Sequence, residues 1–151
     1  MANHLPSQQI NLYQQALAHI RKQKYADARD ILEGIIRDYG DFERGAINQS
    51  LGNCYEDLGE FAKAREAYLA ALRQESGNPY FVDTYAAFLR LHGSKQEFYD
   101  WELASIQLVL ENGGVVTPER RAALMRAGES IGETSEKTTA RMSEQFVPPG
   151  L

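Results

Sequence analysis

The chain has 151 residues, of which 43% are hydrophobic and 25% charged, and its net charge is −5. These values are those of one globular domain with a core of its own. An acidic chain lacks the basic surface that phosphate binding needs, so we expect no nucleic-acid partner. No stretch approaches the ~20 apolar residues of a membrane span. The start, MANHLPSQQI, has no signal-peptide pattern, so we expect a cytoplasmic protein without membrane contact.

Apolar periodicity, interrupted by Gly and Pro, predicts seven helices. Three helix starts are well marked. Asn78 before Pro79 is typical of an N-cap, Ser94 with Glu97 has the form of a capping box, and Thr117 starts another helix. The predicted helices cover residues 8–22, 25–39, 43–58, 61–74, 79–91, 95–111 and 118–128.

The most regular pattern lies between residues 45 and 78. Gly52 and Ala64 are small residues that let two helix backbones approach closely, and Gly59 allows a tight turn between them. Large side chains at regular spacing would fill the space beside these small residues. These large side chains are Leu51, Tyr55, Phe61 and Tyr68.

The pattern recurs on both sides. Thirty-six residues earlier, Tyr25 corresponds to Phe61 and Ala28 to Ala64. Thirty-four residues later the copy is degenerate, because Glu102 occupies the repeat position of Tyr68. The sequence therefore predicts three helical hairpins of one type, of which the third departs from the rule.

Residues 45–78 resemble the tetratricopeptide repeat closely, residues 9–44 moderately, and residues 78–111 as a degenerate member. The resemblance implies an all-α, right-handed superhelix of about three hairpins plus a C-terminal capping helix. We expect a helical repeat domain over residues 1–131. Residues 132–151 form a polar tail whose composition is typical of a flexible segment.

In this family the first helices of the hairpins line a concave groove that binds a peptide of another protein, and catalysis is rare. Transferring the groove positions to this chain predicts a surface that is apolar at one end and mixed polar at the other. The predicted peptide-binding residues are Tyr13, Leu17, Gln49, Asn53, Glu56, Tyr80, Asp83 and Arg90.

Two subfamilies differ in how well they fit. Co-chaperones that grip the acidic tail of heat-shock proteins use a clamp of lysine, asparagine and arginine, and the charges for such a clamp are missing here. The corresponding residues are Tyr13, Leu17, Ser50, Tyr80 and Thr84. Small acidic three-repeat chaperones of bacterial secretion systems agree better in size and charge, and an immunity-type inhibitor on the same scaffold stays open.

A rival hypothesis is a structural homo-oligomer. The degenerate third repeat, or the terminal FVPPGL segment, would then dock onto a second copy. An enzyme, the third class, would need a closed pocket with convergent polar groups. The sequence has no glycine-rich phosphate loop and no G-x-S-x-G motif, so we predict no catalytic residue and no cofactor.

Cys54 is the one cysteine, and its place between Gly52 and Tyr55 favours an inert packing role. No histidine lies at ligand spacing from another ligand residue, so we predict no metal.

The last two predicted helices each contain a group of charged residues. Asp100 and Glu102 flank Trp101, and we expect them to be solvated charges around a buried indole. A small basic patch on the last helix is expected to serve as helix-end charge or as a partner contact. This patch consists of Arg120, Arg121 and Arg126.

Overall fold

The computed structural model describes residues 7–151, and eight α-helices form in that range. Six of the seven predicted helices are confirmed to within two residues at each end, and α3 begins three residues later than predicted. Residues 1–6 of the predicted repeat domain lie outside the described residues. The helices are α1 Ser7–Arg21, α2 Tyr25–Tyr39, α3 Ala46–Asp57, α4 Phe61–Gln74, α5 Pro79–His92, α6 Lys95–Glu111, α7 Pro118–Ser130 and α8 Ser135–Met142.

The chain divides into two compact units, residues 1–75 and residues 76–151. In unit 1, α1 pairs with α2 and α3 pairs with α4, and α2 also packs against α3. Its core contains the small residues that the repeat pattern predicted to be buried. Ala16, Ala28 and Ala64 are fully buried.

At Gly52, α3 and α4 approach each other closely. A Cβ atom at this position would lie 2.5 Å from the Tyr68 ring, so only glycine leaves room for the aromatic side chain. The Tyr68 ring is correspondingly buried, with 1% of its surface exposed. The predicted packing of a small residue against a bulky one is therefore confirmed at this contact.

The turns inside the two hairpins of unit 1 share one backbone conformation. Gly59, between α3 and α4, has a φ of 77°, and Gln23, between α1 and α2, has a φ of 59°. Both values lie in the left-handed region, which glycine occupies more easily than glutamine. In the third repeat the corresponding Gly93 has a φ of −102°, so the departure from the repeat includes its turn.

Unit 2 begins with the α5–α6 hairpin. α7 packs against α6, and α8 packs against both α6 and α7. The helix starts predicted from the sequence are confirmed: the Asn78 side chain accepts a hydrogen bond from the Tyr80 N–H at 3.0 Å, and Ser94 and Glu97 form a capping box. The core cluster of this unit comprises Tyr99, Leu103, Ile106, Val116, Leu124 and Met142.

α8 corrects the expectation that the polar tail is flexible. Thr134 caps this helix, and its residues Thr138 and Met142 are buried. The Tyr99 hydroxyl and the Thr138 hydroxyl lie 3.0 Å apart and share a hydrogen bond. Two buried side chains four residues apart are enough to dock a short helix, although the segment is polar on average. A separate folding domain over residues 1–131 stays a prediction.

Candidate functional site

In unit 1 the apolar part of the predicted peptide-binding surface is on α1. Leu17 and Tyr13 are both half-buried there. The Tyr13 ring meets the Phe42 ring edge to face, with centroids 6.2 Å apart. Burial raises the pKa of Tyr13, although a hydrogen bond with Ser50 acts in the opposite direction. Tyr13 is thus a fixed aromatic surface rather than a mobile side chain.

Asn53 and Glu56, on α3, are positioned by Tyr68 of α4. The Tyr68 hydroxyl lies 2.9 Å from Asn53 Oδ1 and 2.8 Å from Glu56 Oε1, and its single proton serves one of them at a time. Because the ring of Tyr68 is held against Gly52, the packing of the repeat fixes these polar groups. The bond uses the carbonyl oxygen of Asn53 and leaves its amide nitrogen available to a ligand.

Gln49 does not lie on the open surface expected for it. Only 3% of its surface is exposed, and neither Nε2 nor Oε1 has a hydrogen-bond partner. A buried amide without partners destabilises the fold. Its role in binding a peptide stays a prediction.

In unit 2 the predicted residues lie on α5. Tyr80, Asp83 and Arg90 are exposed, and 60% of the Tyr80 surface is accessible. Tyr80 therefore offers an aromatic side chain that a partner could contact directly. Asp83, by contrast, is already engaged within the unit.

Asp83 belongs to an ion-pair network centred on Arg120 of α7. The Arg120 guanidinium donates to Asp83 Oδ1 at 2.9 Å, to Ser105 Oγ at 2.7 Å, and through Nε to Glu102. Glu102 is only 7% exposed, so its charge needs this partner. The expectation of a solvated Glu102 was wrong, because Arg120 neutralises it inside the unit; Trp101 is buried as expected.

Two cavities lie beside this network in unit 2. One, of about 390 Å³, has Ala87 and Phe98 among its apolar residues and Arg90 among its polar ones. The other, of about 310 Å³, is lined in part by Tyr80. Asp83 and Arg120 line both cavities. Each cavity has the size for a side chain of a bound peptide, with charged groups near it.

Unit 1 has a cavity that the sequence did not predict. It measures about 570 Å³, and its lining includes Ile36 of α2, Leu51 and Tyr55 of α3, and Ala67 of α4. Leu51 and Tyr55 lie on a different face of α3 from Asn53 and Glu56. The repeat pattern marks Leu51 and Tyr55 as packing residues, and it gives no sign that the packing beside them is incomplete.

The described residues give no positive evidence for metal binding, membrane insertion or a reactive thiol. Residues 7–151 contain no group of three or more metal-ligating side chains and no helix long and apolar enough to cross a membrane. Cys54 is fully buried, and burial raises the pKa of its thiol to about 11. A buried neutral thiol is a poor nucleophile, which agrees with the inert role expected for it.

Solved structures with a similar fold include chaperones and a complex of type III secretion. PcrH in complex with the chaperone-binding region of PopD is 21% identical, with a TM-score of 0.62, over 93% of this chain and 98% of that one. The type III secretion translocator chaperone SycD of Yersinia enterocolitica is 20% identical, with a TM-score of 0.61, over 95% and 92%. A type III secretion complex of Aeromonas hydrophila is 18% identical, with a TM-score of 0.63, over 93% and 87%. At this identity the likeness establishes the fold alone.

Sequence comparison matches only part of the chain to a known family. No curated protein matches the chain significantly. Tetratricopeptide-repeat family models match residues 11–41 and residues 46–78. These matches coincide with the two hairpins of unit 1, whose small-to-large packing follows the repeat. The two hairpins over residues 11–41 and 46–78 are therefore tetratricopeptide repeats.

Proposed function

We propose that this protein is a cytoplasmic chaperone or adaptor that binds a segment of a partner protein and has no catalytic activity of its own. The observation that carries the proposal is the pairing of apolar and polar groups on the predicted surface. Leu17 and Tyr13 supply apolar area on α1 in unit 1, and the Tyr68 hydroxyl positions the Asn53 side chain on α3. In unit 2, Tyr80 is exposed next to a cavity.

An extended segment suits these features. In unit 1 its apolar side chains would contact Tyr13 and Leu17, and its backbone carbonyl groups would accept hydrogen bonds from Asn53. In unit 2, Tyr80 would supply a separate aromatic contact. Two carboxylates near the cavities, those of Asp83 and Glu102, are paired with Arg120. We interpret this network as structural rather than catalytic.

The proposed partner class is a protein destined for export whose apolar segment must stay covered before secretion. Similar structures support this class. PcrH is in complex with the chaperone-binding regions of PopD and PopB, and SycD is a type III secretion translocator chaperone. Covering an exposed apolar segment prevents aggregation, which is what a chaperone of such a protein must achieve.

The proposal is tested with alanine variants and a purified partner segment. Candidate secreted proteins of the same organism are co-expressed with the chain, and the segment that co-purifies is measured by calorimetry. We expect Leu17→Ala and Tyr80→Ala each to weaken binding about tenfold, because aromatic and apolar anchors dominate such interfaces.

Tyr39→Ala is the matched control, because Tyr39 is an aromatic residue at the end of α2 that is 41% exposed and is not among the predicted peptide-binding residues. This variant should bind with unchanged affinity. Equal losses in all three variants, or a loss confined to Tyr39→Ala, would refute the proposed surface.

A homo-oligomer stays as the alternative, favoured by two exposed apolar residues of unit 2. Leu91 is 67% exposed and Val115 is 88% exposed. Molar mass in solution, measured at two concentrations, separates this alternative from a monomeric chaperone. Growth of the mass with concentration in the wild type, and its loss in Leu91→Ser, would favour self-association.

A further inference from the structure

The segment that follows α8 lies along α6 instead of leaving unit 2. We call residues 146–151, which read FVPPGL, the C-terminal strap. At its start the Phe146 N–H donates to Glu111 Oε1 at 2.6 Å. Val147, Pro148 and Pro149 line a space that they share with α6. The strap is thus docked onto its own unit.

The face of α6 beneath the strap has two apolar residues, Leu103 and Ala104, next to the amide of Gln107 and the carboxylate of Asp100. Leu103 is 3% exposed, Ala104 is 1% exposed and Gln107 is 7% exposed. The Gln107 side chain donates to the Arg141 carbonyl at 2.8 Å, which holds the end of α8 beside the same face. We call Leu103, Ala104 and Gln107 the α6 face.

The fit between strap and α6 face is loose. A space of about 340 Å³ remains between them. Val147 is 70% exposed and Leu151 is 45% exposed, so these two apolar side chains contribute little burial. Ordering the six residues of the strap has an entropic cost, and few contacts offset it. Local opening of the strap therefore requires little free energy compared with opening a helix of the core.

The strap has the chemistry of a linear recognition motif. Pro148 and Pro149 restrict the backbone to an extended conformation, both when docked and when free. Docking such a segment loses less conformational entropy than docking a flexible one. The Glu111 carboxylate gives its first backbone N–H a charged acceptor.

We propose that the α6 face is a second protein-docking surface, which the C-terminal strap occupies at rest. An extended partner segment with an apolar residue followed by two prolines displaces the strap and binds there. The chain's own FVPPGL sequence is the template for this partner. The proposal does not depend on the residues of α1, α3 and α5.

The test uses the full chain and a fluorescent peptide with the sequence EQFVPPGL, followed by anisotropy. Pro148→Gly with Pro149→Gly makes the strap of the chain itself more flexible and leaves the α6 face and Glu111 unchanged. Glu43→Ala is the control, because it changes an exposed residue of unit 1. We expect the peptide to bind the double-glycine chain at least threefold more tightly than it binds the wild type or the control. A peptide with both prolines replaced by glycine should compete at least tenfold less well.

Absence of peptide binding to the double-glycine chain, or equal affinity for all three chains, would overturn the proposal. A doubled molar mass of the double-glycine chain would also overturn it, because a second copy would then be the occupant. Circular dichroism of each variant checks that the helices are intact.

Discussion

Helices α4 and α6 take the same place in successive repeats, yet they are buried in different ways. α4 keeps an exposed side, with Ala62, Lys63 and Glu66 accessible to solvent. On α6 every residue from Trp101 to Leu108 is buried. In unit 2 the elements after the repeats, α7, α8 and the C-terminal strap, pack around α6. The last repeat thus buries its second helix against segments that are not part of any repeat.

The contrast is sharpest at one repeat position, where α4 has Tyr68 and α6 has Glu102. Tyr68 fills the space beside Gly52 and presents its hydroxyl to Asn53 and Glu56. Glu102 is instead neutralised by Arg120, which in turn holds Asp83. The Tyr68 side chain in unit 1 and the Arg120 network in unit 2 therefore have the same structural role. Each connects the core of its unit to a predicted peptide-binding residue.

Breaking the ion-pair network should have the largest effect. Arg120→Ala leaves the buried Glu102 without its partner, which we expect to lower the free energy of unfolding by about 3 kcal/mol. The double variant Glu102→Leu with Arg120→Met should recover most of this loss, because no buried charge remains. Chemical denaturation measures both. Similar stabilities for Arg120→Ala and the wild type would mean that the network contributes little.

The close approach in unit 1 gives the next largest effect. Gly52→Ala places a methyl group 2.5 Å from the Tyr68 ring, so the hairpin must shift. We expect a loss of about 1–3 kcal/mol despite the better helix propensity of alanine. Gly77→Ala is the control, since a Cβ atom there meets nothing within 4 Å. Thermal unfolding compares the two, and equal midpoints would contradict the packing argument.

Tyr68→Phe separates the two roles of this side chain. The ring still fills the space beside Gly52, but Asn53 and Glu56 lose the hydroxyl that positions them. We expect a loss of about 1 kcal/mol in stability, which is the value of one hydrogen bond. Affinity for the partner segment should fall more than this stability change explains, as calorimetry would reveal. Unchanged affinity would mean that the position of Asn53 does not matter.

The smallest effect concerns the turn that precedes α2. Gln23 holds a left-handed conformation that Gly59 holds in the next repeat. Gln23→Gly should therefore raise the free energy of unfolding by about 0.5–1 kcal/mol, because glycine tolerates this conformation without strain. Gln74→Gly, in the last turn of α4, should be destabilising instead. A lower denaturation midpoint for Gln23→Gly would contradict the strain argument.

The helices of the repeats could be predicted because each local signal agreed with the repeat. α8 was missed because Thr138 and Met142 are its only buried residues, and the average composition of the segment hides them. The pairing of Arg120 with Glu102 joins two helices without any repeat relation, so no spacing reveals it.

The predicted peptide-binding residues were harder to judge from sequence. A repeat position says on which side of a helix a residue lies, but not how far its neighbours cover it. Gln49 illustrates this, because its position predicts an open surface and the structure buries it. Tyr80 shares the same kind of position and is 60% exposed.

The most direct test of the central claim, that these residues hold a partner protein, is photo-crosslinking in native cells. A photo-reactive benzoylphenylalanine replaces Tyr80 in one chain and Tyr39 in another, since both are exposed aromatic residues. We predict that the probe at position 80 crosslinks to a secreted protein and that the probe at position 39 does not. Crosslinks from position 39 alone, or crosslinks only between copies of this chain, would contradict the account.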